Sequence, residues 1–172
     1  MGQLRHLAMS VPDPWQTAEF YKHVFGFKVI GETDSSLAEG VYLSDGVINI
    51  ALLKYKNDEV AQGKGKDYVG LHHIGIWVDD VEEARKRVEQ AGGQWIMGDP
   101  LTRSGAFYEV KFKDPNGVIF DLTHNGWGGA QRRPGEADNQ EGPPRQLLPK
   151  FDERRAKAQK AMAEATGGQG ED

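Results

Sequence analysis

The sequence predicts an α+β fold made of two pseudo-symmetric βαβββ modules, and three observations carry that prediction. The stretch Leu4-Arg-His-Leu-Ala-Met-Ser-Val-Pro-Asp13 superimposes without a gap on Leu71-His-His-Ile-Gly-Ile-Trp-Val-Asp-Asp80, so that His6 falls on His73, Ala8 on Gly75 and Asp13 on Asp80. Both copies alternate in the strand manner and end in an acidic residue that opens a helical stretch. Each helical stretch is then stopped by glycine, Gly26 in the first copy and Gly92-Gly93 in the second, as left-handed helix ends require. Finally, Gly46-Val-Ile-Asn-Ile is echoed by Gly117-Val-Ile-Phe-Asp-Leu with a slip of one residue. A histidine-bearing strand written twice implies two modules that each point an imidazole at a shared site.

The elements follow in order. A strand over 4–11 leads to Asp13 as N-cap and Pro14 at the first helical position, a favoured pair. The helix runs over 14–24, with Ala18, Tyr21 and Phe25 on one stripe and Trp15 beside it. Strands are expected over 27–32, 37–43 and 47–55, the last two joined by the turn Ser44-Asp-Gly46. Residues 57–69 are polar and rich in Gly and Lys, so they read as a linker between a first module (1–56) and a second (70–124). The second module repeats the plan with a strand from Leu71, a helix over 81–91 and strands over 94–97, 107–112 and 118–123. Asp114-Pro-Asn-Gly117 turns tightly before the last of these. From 125 to 172 Gly, Pro, Arg, Glu and Gln dominate, a composition that buries too little to offset ordering entropy. This tail is expected to be mostly irregular and loosely docked, with Trp127 anchoring its start and a candidate helix over 150–165. Removal of everything after Gly129 is expected to leave the fold intact.

Composition excludes several classes of function. A net charge of −5 lacks the basic footprint that nucleic-acid binding needs. The sequence shows no apolar run of membrane-spanning length and no signal-peptide plan, so no membrane partner and a cytoplasmic location are expected. With no cysteine, any metal must be held by histidine and carboxylate.

Asp121 stands between Phe120 and Leu122 in a strand that otherwise reads as buried. A carboxylate there must be paired, hydrogen-bonded or bound to a metal. If the strands curl into a half-barrel, His6, His73 and Asp121 converge from three strands. Two imidazoles and one carboxylate with positions left open suit non-haem Fe(II), and also Mn, Zn, Ni or Co. Asn49 is taken as a fourth, weaker ligand in preference to Ile50. His72 precedes His73 and is expected on the opposite face, in a structural role. Tyr108 and Glu109 alternate, so only one of them should face the cavity as an acid or base, and His124 at the strand end is a further candidate for that role.

Residues 3–124 resemble the vicinal oxygen chelate superfamily, which includes glyoxalase I, methylmalonyl-CoA epimerase, type I extradiol dioxygenases and the bleomycin resistance proteins. The resemblance rests on Arg5-His-Leu-Ala-Met-Ser-Val11, on His72-His-Ile-Gly-Ile-Trp-Val-Asp-Asp80, and on Asp114-Pro-Asn-Gly-Val-Ile-Phe-Asp121. It implies paired modules forming a U-shaped, half-barrel mixed sheet around a divalent ion held by His6, His73 and Asp121. The chain departs from the pattern at Asp121, where the family has glutamate, and at Asn49, where epimerase and glyoxalase relatives have Glu or Gln. With no carboxylate at 49, the expectation is an Fe(II)-dependent dioxygenase acting on a small substrate that chelates the ion through neighbouring oxygens. The alternatives are a glyoxalase- or epimerase-like lyase or isomerase working through an enediolate, and a non-catalytic binding protein for a small molecule such as an antibiotic. A homodimer is the expected assembly.

Overall fold

The computed structural model describes residues 1–99, 109–140 and 146–167. The first module contains β1 (Gln3–Ser10), α1 (Pro14–Phe25), β2 (Lys28–Asp34), β3 (Ala38–Ser44) and β4 (Asn49–Tyr55). The second contains β5 (Gly70–Trp77), α2 (Val81–Gln90), β6 (Gln94–Met97), β7 (Val110–Lys113) and β8 (Ile119–Thr123). A 3-10 turn (Pro149–Phe151) and α3 (Asp152–Ala165) follow. Among the described residues, no helix is long and apolar enough to cross a membrane.

Capping sets the helix starts. Asp13 accepts from the backbone N–H groups of Trp15 and Gln16 at 3.0 and 3.1 Å, and Asp80 accepts from that of Glu83 at 2.9 Å. Gly26, at φ 69°, ends α1 in the left-handed conformation.

One eight-stranded mixed sheet runs in the order β2-β3-β4-β1-β5-β8-β7-β6. Its two halves mirror each other and meet at the antiparallel pair β1–β5, so the modules of a single chain join within that chain. Strand parity then sorts the side chains. In β4, Ile50 and Leu52 join Trp15, Val41 and Leu43 under α1 on the outer face, while Ala51, Leu53 and Tyr55 belong to a second cluster with Ala8 and Ala61. In the second module, Val110, Phe112 and Leu122 pack with Val81 and Ala84 of α2. The sheet curls. A flat sheet would hold β3 and β7 about 24 Å apart, at about 4.8 Å per strand, yet the short segment 127–129 reaches both, with Trp127 donating to Glu109 beside β7 and Gly129 accepting from Ser44 of β3.

The C-terminal part starts as expected, with Trp127 as its anchor, and departs from expectation further along. Trp127 and Ala130 are fully buried against Trp77, so the segment after β8 closes one end of the cup. Ala61, in the 57–69 segment, is likewise buried in the inner cluster, so that segment closes part of the cup as well as connecting the modules. Further along, Phe151 packs on Trp15 with the ring centres 4.5 Å apart and the rings tilted by 51°, and α3 packs on α1. Buried Glu32 of β2 pins this region: it accepts from Trp15 Nε1 (2.8 Å), Leu148 N (2.7 Å) and Arg155 Nη1 (2.5 Å). Alanine-rich α3 is therefore held by Phe151 and Ala158 in the outer core, by the buried Arg155–Glu32 pair and by Arg154, which bonds Glu39 and lies over the Trp15 ring, none of which composition could reveal.

Candidate metal centre

His6, His73 and Asp121 lie on the three central strands β1, β5 and β8. The register aligns them, because Gly75 pairs with His6 on one side and with Asp121 on the other. A side chain at 75 would fill the gap, since a Cβ there would lie 2.5 Å from the Trp127 ring and 2.7 Å from the His6 Cβ. Ala8 is likewise opposite His73. Each histidine thus faces a small residue of the other copy, and one ligand atom from each of His6, His73 and Asp121 falls within 4.8 Å of the others. All three residues are buried.

Hydrogen bonds set the orientation of the rings. Asn49 donates through Nδ2 to the Gly128 carbonyl at 2.9 Å, which turns its Oδ1 toward His6 Nδ1 at 2.7 Å. An amide oxygen only accepts, so His6 carries its proton on Nδ1 and leaves Nε2 free. Trp127 stacks on the same ring at 4.9 Å and 7°. His73 Nε2 lies 3.2 Å from Asp121 Oδ2.

The charges around these groups are strongly coupled. Burial pushes the His6 and His72 imidazoles down to about 4, which keeps those rings neutral, and lowers that of His73 as well. Burial alone would raise the Asp121 carboxyl, but His73 and Lys111 outweigh it and hold the group well below the usual carboxylate range. Lys111 Nζ is 2.5 Å from Asp121 Oδ2 and 3.7 Å from Glu109 Oε2. Burial works against its charge, yet those two carboxylates keep the ammonium protonated. Glu109 accepts from Trp127 Nε1 at 2.5 Å, and burial, reinforced by Asp121, raises its carboxyl.

A sequence model of the glyoxalase/bleomycin resistance protein/dioxygenase superfamily matches residues 3–122. The chain belongs to this superfamily. It is 32% identical over 125 residues to the anthracycline biosynthesis protein DnrV of Streptomyces peucetius, a match covering 67% of this chain but only 44% of that relative's length. It is 30% identical over 132 residues to the mitochondrial methylmalonyl-CoA epimerase of Dictyostelium discoideum, covering 71% of this chain and 78% of the relative. The ethylmalonyl-CoA/methylmalonyl-CoA epimerase of Cereibacter sphaeroides is 27% identical over 139 residues, covering 71% of this chain and 97% of the relative. Among solved structures, Streptomyces coelicolor methylmalonyl-CoA epimerase superimposes with a TM-score of 0.58 at 22% identity, over 70% of this chain and 94% of that one. A methylmalonyl-CoA epimerase in complex with methylmalonyl-CoA and NH4+ gives 0.57 at 24% identity, over 71% and 93%. These structural likenesses establish the superfamily's fold here.

The superfamily's divalent ion fits these residues. Among the described residues nothing hydrogen-bonds Asp121 Oδ1, although the atom is buried. A buried carboxylate oxygen without a partner is open to an ion, while Oδ2 of the same group is shared by Lys111 and His73 Nε2. Other expectations need correction. Asn49 faces the site, whereas Ile50 lies under α1, and the Asn49 amide is taken up by His6 and Gly128, so it is placed to support His6 and not to join it as a fourth ligand. His124, the acid/base candidate, stands just beyond β8 and is partly buried, and its carbonyl accepts from Trp77 Nε1. Tyr108 lies outside the described residues. His72 is not on the opposite face: it lies 2.8 Å from His73, nitrogen to nitrogen. Sequence reasoning also missed two residues, Lys111 and Tyr42. Lys111 had a signal in its parity, two residues from Glu109 between apolar Val110 and Phe112. Tyr42 of β3 is a phenol whose titration is raised by burial and by Glu109 and Asp121.

Proposed function

We propose that the protein is a divalent-metal-dependent enzyme that moves a proton at a carbon next to a carbonyl, with a small acyl substrate bound to the ion through two neighbouring oxygens. The observation that carries this reading is a largely buried acid on each arm of the sheet, each with its titration raised by burial and by Asp121. Glu109 beside β7 has a raised carboxyl, and Tyr42 sits on β3, the corresponding strand of the other module. A group on each arm of the sheet is what inversion of a carbon centre requires, with removal of the proton from one face and its return to the other. His6, His73 and Asp121 Oδ1 would hold the ion, which supplies Lewis-acid stabilisation for negative charge on the substrate oxygens. Glu109 takes the proton as a carboxylate, so the rate should rise with pH through its raised titration. Tyr42 stays protonated and donates, while Lys111 keeps Asp121 ionised.

Two curated relatives are epimerases of methylmalonyl-CoA, which makes a 2-substituted malonyl-type thioester the favoured substrate class and supports proton transfer over the dioxygenase reading. The ion could then be Mn, Co, Ni or Zn as readily as Fe(II), because no electron changes hands. A homodimer in the cytoplasm accompanies this reading.

The test is solvent deuterium exchange into methylmalonyl-CoA by metal-loaded protein without oxygen, with oxygen uptake on catechols measured in parallel. Exchange at an undiminished anaerobic rate is expected, and Glu109→Gln should lower it about 10²–10⁴-fold. Metal-dependent oxygen uptake without exchange would return the assignment to the dioxygenases. His6→Ala and His73→Ala should each lose the ion while keeping the fold, and stoichiometric metal in the double variant would overturn the centre itself.

A further inference from the structure

We infer that His72 is a positioning residue: through a hydrogen-bond relay that starts at the Ala61 carbonyl, it fixes which nitrogen of His73 faces the metal. The inference rests on the reading of His73 as a metal ligand. Adjacent residues of a regular strand point to opposite faces, and a β-bulge breaks that rule here. Ala8 pairs with His73 but Met9 pairs with Leu71, so His72 is the extra residue and is re-aimed toward its neighbour.

The direction of each hydrogen bond then follows from chemistry. The Ala61 carbonyl can only accept, so His72 Nε2, 2.9 Å away, carries a proton and donates it. With its proton on Nε2, the ring presents Nδ1 as an acceptor. Two groups approach that lone pair, the Tyr55 hydroxyl at 3.1 Å and His73 Nδ1 at 2.8 Å. Two proton-free nitrogens would repel at that distance, so the proton between the rings belongs to His73 Nδ1. His73 Nε2, 3.2 Å from Asp121 Oδ2, is thereby the nitrogen left to face the ion, and without the ion it carries a proton toward that carboxylate. Tyr55 stacks on the His72 ring at 4.5 Å and holds it in place.

The two copies have solved this problem differently. Arg5 occupies the repeat position of His72 and is also bulged, but it donates to the backbone carbonyls of Gln131 and Leu4. In the first copy Asn49 sets the tautomer of His6. Outer partners of this kind typically change metal affinity by about 10–100-fold.

Two measurements test the relay. In protein labelled with 15N-histidine and stripped by chelator, long-range 1H–15N correlation should find His73 Nδ1 protonated, and zinc should leave that nitrogen unchanged while Nε2 becomes proton-free. A proton-free Nδ1 would overturn the inference. Zinc affinity by chelator competition should then fall about 10–100-fold in His72→Phe, and by no more than about threefold in His72→Asn, whose amide oxygen keeps an acceptor near Nδ1. Wild-type affinity in the Phe variant, or an Asn variant as weak as the Phe one, would also overturn it. If the Phe variant does not fold, the wild-type spectrum decides alone. Wild-type protein that takes up no zinc would refute the metal reading, while the metal-free spectrum still judges the relay.

Discussion

Lys111 is the residue that sets this centre apart, because an ammonium and a divalent ion would share one carboxylate. Nζ holds Asp121 Oδ2 at 2.5 Å while Oδ1 has no hydrogen-bond partner among the described residues. Removal of the ammonium leaves a buried charge uncompensated, a loss of about 3–5 kcal/mol in comparable cases. Lys111→Met should therefore lower the melting temperature of chelator-treated protein, yet bind zinc more tightly than wild type, since Asp121 is freed from its competitor. Weaker zinc binding in the variant would mean that Lys111 supports the ion. The histidines make a second prediction at this scale. An unfolded imidazole titrates near 6.5, whereas His6 and His72 are held down to about 4 by burial. The unfolded state therefore binds more protons between those values, and the stability that the neutral rings contribute, fully present above pH 6.5, is lost as pH falls toward 4. Urea midpoints of metal-free protein should decline across that window, and His72→Phe should flatten part of the decline.

At the scale of elements, the C-terminal helix departs furthest from its sequence reading. Most of its residues are polar or alanine, so alone it would be marginal in water. Its stability comes from Phe151, 4% exposed between Trp15 and the outer core, and from Glu32, which joins Trp15, Leu148 and Arg155. Phe151→Ala should cost about 3–5 kcal/mol, seen as a melting temperature lower by roughly 6–20 °C for a domain of this size. Truncation after Gly129 should cost more, because Glu32 then loses both Leu148 and Arg155 inside the fold. An unchanged melting temperature after truncation would show that α3 contributes nothing to the core. The β5 bulge is the other decision at this scale, since one extra residue moves an imidazole to the face of its neighbour.

For the molecule as a whole, the β1–β5 seam means that one chain would supply all three proposed ligands. Metal stoichiometry should be one ion per chain, and affinity should not change when the protein is diluted from oligomer to monomer. Affinity that falls with protein concentration would place part of the site on a second copy. Gly75 holds the seam open between His6 and Asp121, so Gly75→Val should displace the Trp127 ring and disturb His6. The measurable result is loss of metal with the secondary structure retained.

Much of this was legible in the chain because duplication wrote it twice. The repeated histidine strands, the acidic caps and the Asp-Pro-Asn-Gly turn gave the order of elements within a few residues, and polarity favoured Asn49 over Ile50 for the side of the site. Those features are local or periodic, and local sequence carries them. What parity could not carry was the β5 bulge, since a register slip depends on the partner strand. Nor could composition foresee Glu32 and Phe151 clasping a polar helix, or Trp127 stacking on a ligand, because each contact joins residues far apart in the chain. Which side chains satisfy one another in a buried space is decided only when the sheet curls and the interior dries, and there an unpaired charge or amide must find its partner wherever the fold has put it.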